Sequence, residues 1–327
     1  MIKLPKVLLG DDLPRVLEIV TQIEELDGPE NRIDASELIT AEPVALCLLA
    51  RALNRLDRIG MKARIEGVSA AVANYLARMD VIHGWLSKSE NADLRFSDPQ
   101  APIQARKVSS SSEANAIANV LAQAVAAFVP FEDVALLLDQ EDAEIRRYRT
   151  IDQPVGYVLA ELLDNALNHG RSHGFAHASA WVAAQYYPSG DLLRVCVVDE
   201  GCGFLRSLRN SADLKQQSDA GAIHAALQPF VSSKRDVGIF RDAIHQGIGL
   251  TVCRDLCNAA RGSLDIASGR AWLRNPGLPS QATAVLPTPY QGAVVSLTLH
   301  RRALTPGMIA SIVEKYDRGD DLPIRFL

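Results

Sequence analysis

The chain has 327 residues, enough for two domains of ordinary size, and its 48% hydrophobic content supports a buried core in each. A net charge of -5 and an isoelectric point near 5.8 argue against a general nucleic-acid binder. The start, Met1 to Gly10, has too short an apolar run for a signal peptide, and no later stretch approaches the roughly 20 apolar residues of a membrane span, so the chain reads as cytoplasmic. Five cysteines (Cys47, Cys196, Cys202, Cys253 and Cys257) show no zinc-ligand or redox spacing and sit mostly among Leu, Val and Ala, which predicts buried, reduced thiols.

In chain order, residues 5 to 88 alternate strand-like and helical patterns. An apolar run from Val16 to Ile23 precedes Arg32 to Ser36, then an amphipathic run from Pro43 to Ile59, a short strand from Lys62 to Glu66, and a helix from Ser69 to about Arg78. This α/β unit resembles the STAS domain, the anti-sigma-factor-antagonist fold, in which a strand ending in Asp-x-Ser, here Asp34-Ala35-Ser36, leads into a helix and a second strand and helix follow. Antagonists of that family carry a phosphorylatable Ser or Thr at the helix start. Ala41 stands there in this sequence, with Thr40 just before it, which favours a packing or dimerisation role.

A polar stretch with Pro99, Pro102 and the run Ser109 to Ser112 reads as a linker. The expected division is 1–88 for the STAS-like domain, 89–112 for the linker, 113–302 for a second α/β domain and 303–327 for a C-terminal helix and tail. Glu113 to Phe128 has helical spacing, with Ser111 and Ser112 as candidate caps.

Pro154 suits a first helical turn, and the apolar spacing of Val155 to Leu167 places Glu161, Asn165 and His169 on one stripe. An Asn carbonyl oxygen is a hard, neutral ligand suited to Mg²⁺, which keeps most of its waters and bridges phosphate oxygens. Glu161, one turn back, is positioned to accept a proton from an attacking water. Taken alone, the stripe is better explained by a solvated helix face. Further on, the hydrophobic strand Leu192 to Val198 ends at Asp199, and Gly201 and Gly203 let the chain turn sharply beside a flat ligand. A carboxylate there accepts a hydrogen bond from an exocyclic amine, which distinguishes adenine from guanine. Gly247 and Gly249 then open an apolar helix whose unpaired N–H groups favour a polyphosphate. Each motif alone is weak; their order and spacing give them weight.

The set resembles the GHKL superfamily of gyrase, heat-shock chaperone, histidine kinase and MutL ATPases. Glu161, Asn165 and His169 match its N box, Asp199, Gly201 and Gly203 its G1 box, Pro229 to Lys234 its F box, and Gly247 to Leu250 its G2 box. The resemblance implies a Bergerat-type α/β sandwich, with helices on one face of a mixed sheet, and ATP held between the N-box helix and a mobile lid from about Phe204 to Gln246. It implies that Asn165 holds Mg²⁺, that Asp199 binds the adenine amine, and that Gly247 and Gly249 pack against the phosphates. His169 would sit near those phosphates, and Gly201, Gly203 and Leu250 would complete the binding set. Lys234 would reach the γ-phosphate, with Arg235 and Arg241 as further candidates, and Glu161 would be the catalytic group. Ala293 replaces the Thr of a Gly-Thr pair found in relatives, with Ser296 or a water as the substitute hydroxyl. Ala271 to Tyr290 reads as a surface excursion or partner contact, and Pro306 to Tyr316 as an additional helix.

Binding ATP leaves the destination of the γ-phosphate undecided. A sensor histidine kinase needs an acceptor His in a helical hairpin, and His83, the sole histidine before the second domain, has the wrong context. The resemblance therefore favours a Mg²⁺-dependent signalling ATPase or serine kinase of the anti-sigma-factor type, acting with a protein partner such as a STAS-type regulator. The alternatives are a conformational ATPase with ATP-dependent homodimerisation and a non-catalytic ATP sensor or scaffold. Membrane and nucleic-acid partners are not expected.

Overall fold

The computed structural model describes residues 1–28, 31–79, 81, 105–128, 140–231 and 247–316. The N-terminal unit contains β1 (Ile2–Lys3), β2 (Val7–Leu8), α1 (Leu13–Glu24), β3 (Asn31–Asp34), β4 (Thr40–Ala41), α2 (Pro43–Arg58), β5 (Ala63–Glu66) and α3 (Ala70–Arg78). Strands β1, β3 and β5 form a parallel sheet in that order, and β2 and β4 form a separate parallel pair. The turn after β3 is held by Asp34, whose carboxylate accepts the Ser36 N–H at 2.9 Å. Ala41 does not start a helix. It is a buried strand residue whose carbonyl accepts the Tyr75 hydroxyl at 2.8 Å, and α2 begins two residues later with Pro43, whose missing N–H is tolerated in a first turn.

Every residue of α2 from Pro43 to Leu53 is buried, more than the single stripe that its polar residues suggest. A helix buried all round lies between two layers. The second layer is a five-stranded sheet in the order β6-β7-β8-β10-β9.

That sheet belongs to the remainder of the chain: β6 (Arg106–Val108), α4 (Ser111–Phe128), α5 (Gln140–Arg147), α6 (Gln153–Asp164), β7 (Ala180–Tyr187), β8 (Leu192–Asp199), α7 (Gly203–Ser207), α8 (Asp219–Ala226), α9 (Gly249–Ala259), β9 (Ser263–Arg274), β10 (Ala282–His300) and α10 (Met308–Glu314). Edge strand β6 falls inside the stretch read as a linker. All four pairings are antiparallel, where the resemblance implied a mixed sheet. Strands β8 and β9 do run the same way, but β10 lies between them and is antiparallel to both.

Alternation along the strands assigns the two faces of the sheet. Val195, Val197, Val295 and Leu297 join the core beneath α4, α6 and α9. Cys196, Val198, Val294, Trp181 and Ala183 join a cluster that is continuous with the N-terminal unit, including Leu46, Leu48 and Val20. Helices therefore cover both faces, correcting the expectation of one, because the N-terminal unit serves as the second layer. The stretch expected as a surface excursion is a β-hairpin that prolongs β9 and β10, with Arg274 opposite Ala282 and register shifts around Tyr290. Its Trp272, Leu286 and Tyr290 are buried against the N-terminal unit, and Arg274 pairs with Asp11 at 3.2 Å. The C-terminal helix α10 buries Ile309, Ile312 and Val313 as its pattern predicts.

Among the described residues no helix is long and apolar enough to cross a membrane. Four cysteines are buried, and Cys202 is partly exposed beside the turn after β8, so it departs from the reading of all five as buried. Burial pushes the Cys196, Cys253 and Cys257 thiols upward and keeps them protonated and inert. A thiol reagent added to the native protein is therefore expected to label one cysteine per chain, Cys202. Peptide mapping that found the label on Cys196 or Cys253 would contradict this packing.

Candidate functional site

The N-box stripe is built where α6 passes into a π-helical turn, Asn165–His169, closed by the Gly170 N–H donating to the Asn165 carbonyl at 3.2 Å. Such wide turns are frequent at functional sites. Glu161, Asn165 and His169 all line one cavity of about 140 Å³, together with Asp199, Gly203, Gly247, Gly249 and Leu250. Eight of the residues singled out in the sequence thus converge from α6 and its π-helical turn, the end of β8, the start of α7, and the start of α9 with the glycine just before it. Gly201 is not on the lining, and Lys234, with Arg235, Gly238 and Arg241, lies outside the described residues.

Glu161 is enclosed by the packing of α9 on α6. A Cβ on Gly249 would stand 2.9 Å from the Glu161 Cδ and 3.2 Å from its Cβ, so the first residue of α9 meets this carboxyl directly. Burial, reinforced by the nearby Asp164 carboxylate, pushes the Glu161 carboxyl up to about 8. A carboxyl poised there exchanges protons near neutral pH, which a general base requires.

Asp199 closes β8 with its carboxylate accepting the Gly201 N–H at 2.7 Å. Burial pushes it up to about 7, opposed by the Gly201 and Ala293 N–H groups and by the Arg51 guanidinium. Gly201 acts from behind the cavity. A Cβ there would lie 2.5 Å from both the Cα and the carbonyl oxygen of Gly170, while the Cys202 N–H donates to that same oxygen at 2.8 Å. The turn after β8 and the end of the N-box helix are thus in backbone contact. Gly292 permits a similar approach on the other side, with φ of +102° and space for a Cβ only 2.9 Å from the Asp199 Oδ1.

Ala293 lines the cavity with a methyl where the resemblance implies a hydroxyl. Ser296 cannot substitute for it, because Val295 faces the cavity and Ser296 points to the opposite side, into a second, polar cavity with Arg194 and Thr298. A different serine supports this wall: Ser268 donates to the Gly292 carbonyl at 2.7 Å and accepts the Phe204 N–H at 3.3 Å.

The described part of the expected lid, Phe204 to Val231, is a packed element. Ser218 caps α8 through the Gly221 N–H at 3.1 Å, Asp219 accepts the Arg270 N–H at 2.8 Å, and Ala222 and Ile223 are buried. Its Phe204, Leu208 and Ala226 join Val231 of the F box as an apolar side of the cavity; no motif marked the first three, apolar residues brought there by folding. The Phe230 N–H donates to the Gly247 carbonyl at 2.9 Å, bringing the F and G2 boxes together.

Residues 151–303 match the family described as histidine kinase-, DNA gyrase B-, and HSP90-like ATPase. The chain carries a domain of that family. Such a domain implies ATP binding, and the match runs from the turn before α6 to the end of β10, so it contains every element that lines the cavity. No curated protein matches the chain.

The donor set suits a magnesium ion that shares its ligands with phosphates. Asn165 offers one neutral oxygen on the cavity wall, and among the described residues no group of three or more His, Cys, Asp or Glu could hold a metal by itself.

Proposed function

We propose that this protein is a Mg²⁺-dependent, ATP-binding signalling protein that hydrolyses ATP or transfers its γ-phosphate to a protein partner. The observation that carries the reading is the convergence of Glu161, Asn165, His169, Asp199, Gly247 and Gly249 on one cavity inside a domain of an ATPase family. Asp199 accepts the adenine amine, and the N–H groups that open α9 at Gly249 and Leu250 face the phosphates, with Gly247 and His169 beside them. Asn165 holds Mg²⁺, which neutralises phosphate charge when bound. Glu161 orients the attacking water or hydroxyl and takes its proton, and Lys234 is the cation that the F-box resemblance assigns to the γ-phosphate.

The STAS-like reading of the N-terminal unit makes a separate STAS-type protein an attractive substrate. Transfer within the chain is disfavoured, because Thr40 and Ala41 belong to the layer behind the sheet while the cavity opens on the α6 side. The second reading is a conformational ATPase, in which nucleotide changes a dimer or partner contact. It is favoured by the direct packing of α1 and α2 on the sheet that carries Asp199.

The deciding experiment follows the γ-phosphate of labelled ATP with Mg²⁺, using the purified protein alone and with a lysate fraction as a source of partners. Covalent label on a protein indicates a kinase, and free phosphate alone indicates a conformational ATPase. Label that stays on ATP in every condition removes both and leaves a sensor. Asn165→Ala is expected to abolish either signal, and Glu161→Gln to lower it about 10²-fold or more while ADP binding persists.

The raised Asp199 carboxyl has a consequence for binding. In the empty folded protein it holds its proton up to about pH 7, whereas its ordinary value is 3.8. Its preference for the folded state is therefore full at low pH and is lost as pH rises through 7. An adenine amine favours the ionised form, so ADP affinity is expected to rise about tenfold between pH 6 and pH 8. Calorimetric titration across that range checks it, with Asp199→Asn as the control in which this rise is absent.

A further inference from the structure

Behind Asp199, on the face of the sheet away from the cavity, stands a buried arginine that belongs to the other half of the chain. Arg51, on α2, is 6% exposed. Its guanidinium lies 2.8 Å from the Glu24 carboxylate of α1 and 3.6 Å from that of Glu200, the residue after Asp199. It also stacks over the Tyr290 ring, 5.0 Å from the centroid. The buried Tyr290 hydroxyl donates to the Asp199 carbonyl at 2.9 Å. One cation thus touches two of the groups that hold the end of β8, Glu200 through charge and Tyr290 through its ring.

A buried guanidinium is costly unless opposite charges and hydrogen bonds surround it. Packing alone would be served by an apolar side chain in this otherwise Leu- and Ala-rich helix. The arginine is instead placed where its two acidic partners come from different units, Glu24 from α1 and Glu200 from the turn after β8. Arg51 favours the ionised form of Asp199, which is the better acceptor for an amine.

We propose that Arg51 is a positioning residue for nucleotide recognition: from the N-terminal unit it holds the Asp199–Glu200 end of β8, through Glu200 and Tyr290, in the place where the Asp199 carboxyl meets the adenine amine. The N-terminal unit is then part of the specificity apparatus, and docking of that unit and adenine affinity are linked reciprocally. This rests on the reading of Asp199 as the adenine acceptor.

The test uses the full chain and compares ADP with IDP, whose C6 carbonyl offers an acceptor where adenine offers a donor. Wild type is expected to prefer ADP by about tenfold or more, the value of one hydrogen bond to a charged group. Arg51→Met and Tyr290→Phe are expected to reduce that preference several-fold, with Arg51→Lys recovering part of it. Tyr290→Phe keeps the ring under Arg51 and removes only the hydroxyl, so it decides the matter if Arg51→Met does not fold. A merely structural role lowers the melting temperature but leaves the ADP:IDP ratio of the folded protein unchanged, and that result overturns the proposal. A wild-type protein that binds both equally overturns the reading of Asp199 itself, before any variant is made.

Discussion

Gly201→Ala is expected to weaken nucleotide binding about 100-fold or more although residue 201 does not line the cavity. The added methyl would stand 2.5 Å from the Cα and the carbonyl oxygen of Gly170, and 2.7 Å from its carbonyl carbon. These are backbone atoms, so no side-chain rotation relieves the overlap. Either the turn after β8 or the end of the N-box helix must move by a sizeable fraction of an ångström. Overpacking of this kind costs about 1–3 kcal/mol in a close-packed region. Here the cost falls on the contact that sets Asp199 against Asn165 and His169. The same shift breaks the bond from the Cys202 N–H to the Gly170 carbonyl and lengthens that from the Gly201 N–H to the Asp199 carboxylate. ADP affinity is expected to fall about 100-fold or more, read by calorimetry on protein whose circular dichroism shows it folded. A folded Gly201→Ala protein with wild-type affinity would show that the spacing between the two motifs is not what builds the site.

The second large effect concerns domain organisation. Removing residues 1–104 leaves β6 onward intact, yet it strips one face of the sheet. Trp181, Ala183, Cys196, Val198, Trp272, Leu286 and Val294, all buried against the N-terminal unit or beside it, would become a contiguous apolar surface. Monomeric soluble proteins rarely expose contiguous apolar patches larger than a few hundred Å². The fragment is expected to aggregate or to bind a hydrophobic dye strongly, while the full chain unfolds in a single cooperative transition. A soluble fragment that binds ADP as tightly as the whole chain would mean that the N-terminal unit is a separable module. Such a result would also remove the physical basis for a role of Arg51.

The motifs were legible because they are local. Glu161, Asn165 and His169 lie on one helical segment, so spacing alone places them together, and the π-turn that carries the last two leaves them on the cavity wall. Asp199 and its glycines are a strand end and its turn, and Gly249 with Leu250 opens a helix, all short-range patterns. The Ser296 suggestion failed for an equally simple reason: strand register alternates, and it sends Val295 rather than Ser296 toward the cavity. The Ala271 to Tyr290 stretch reads as a surface excursion because it holds Pro276, Pro279, Pro287 and Pro289, yet Pro287 and Pro289 fall in β10 where its register with β9 shifts and ladder bonds are already interrupted.

By itself, then, the sequence picked out most of the polar and glycine residues that the fold gathers on one cavity, since a motif's chemistry is written in residue types a few positions apart. Only the tertiary structure decided that α2 is enclosed on all sides, that the sheet has a second covered face, and that Arg51 from one half of the chain stands behind Asp199 of the other. Those contacts join residues more than a hundred positions apart, and a buried helix between two layers carries no local periodicity that names its partners.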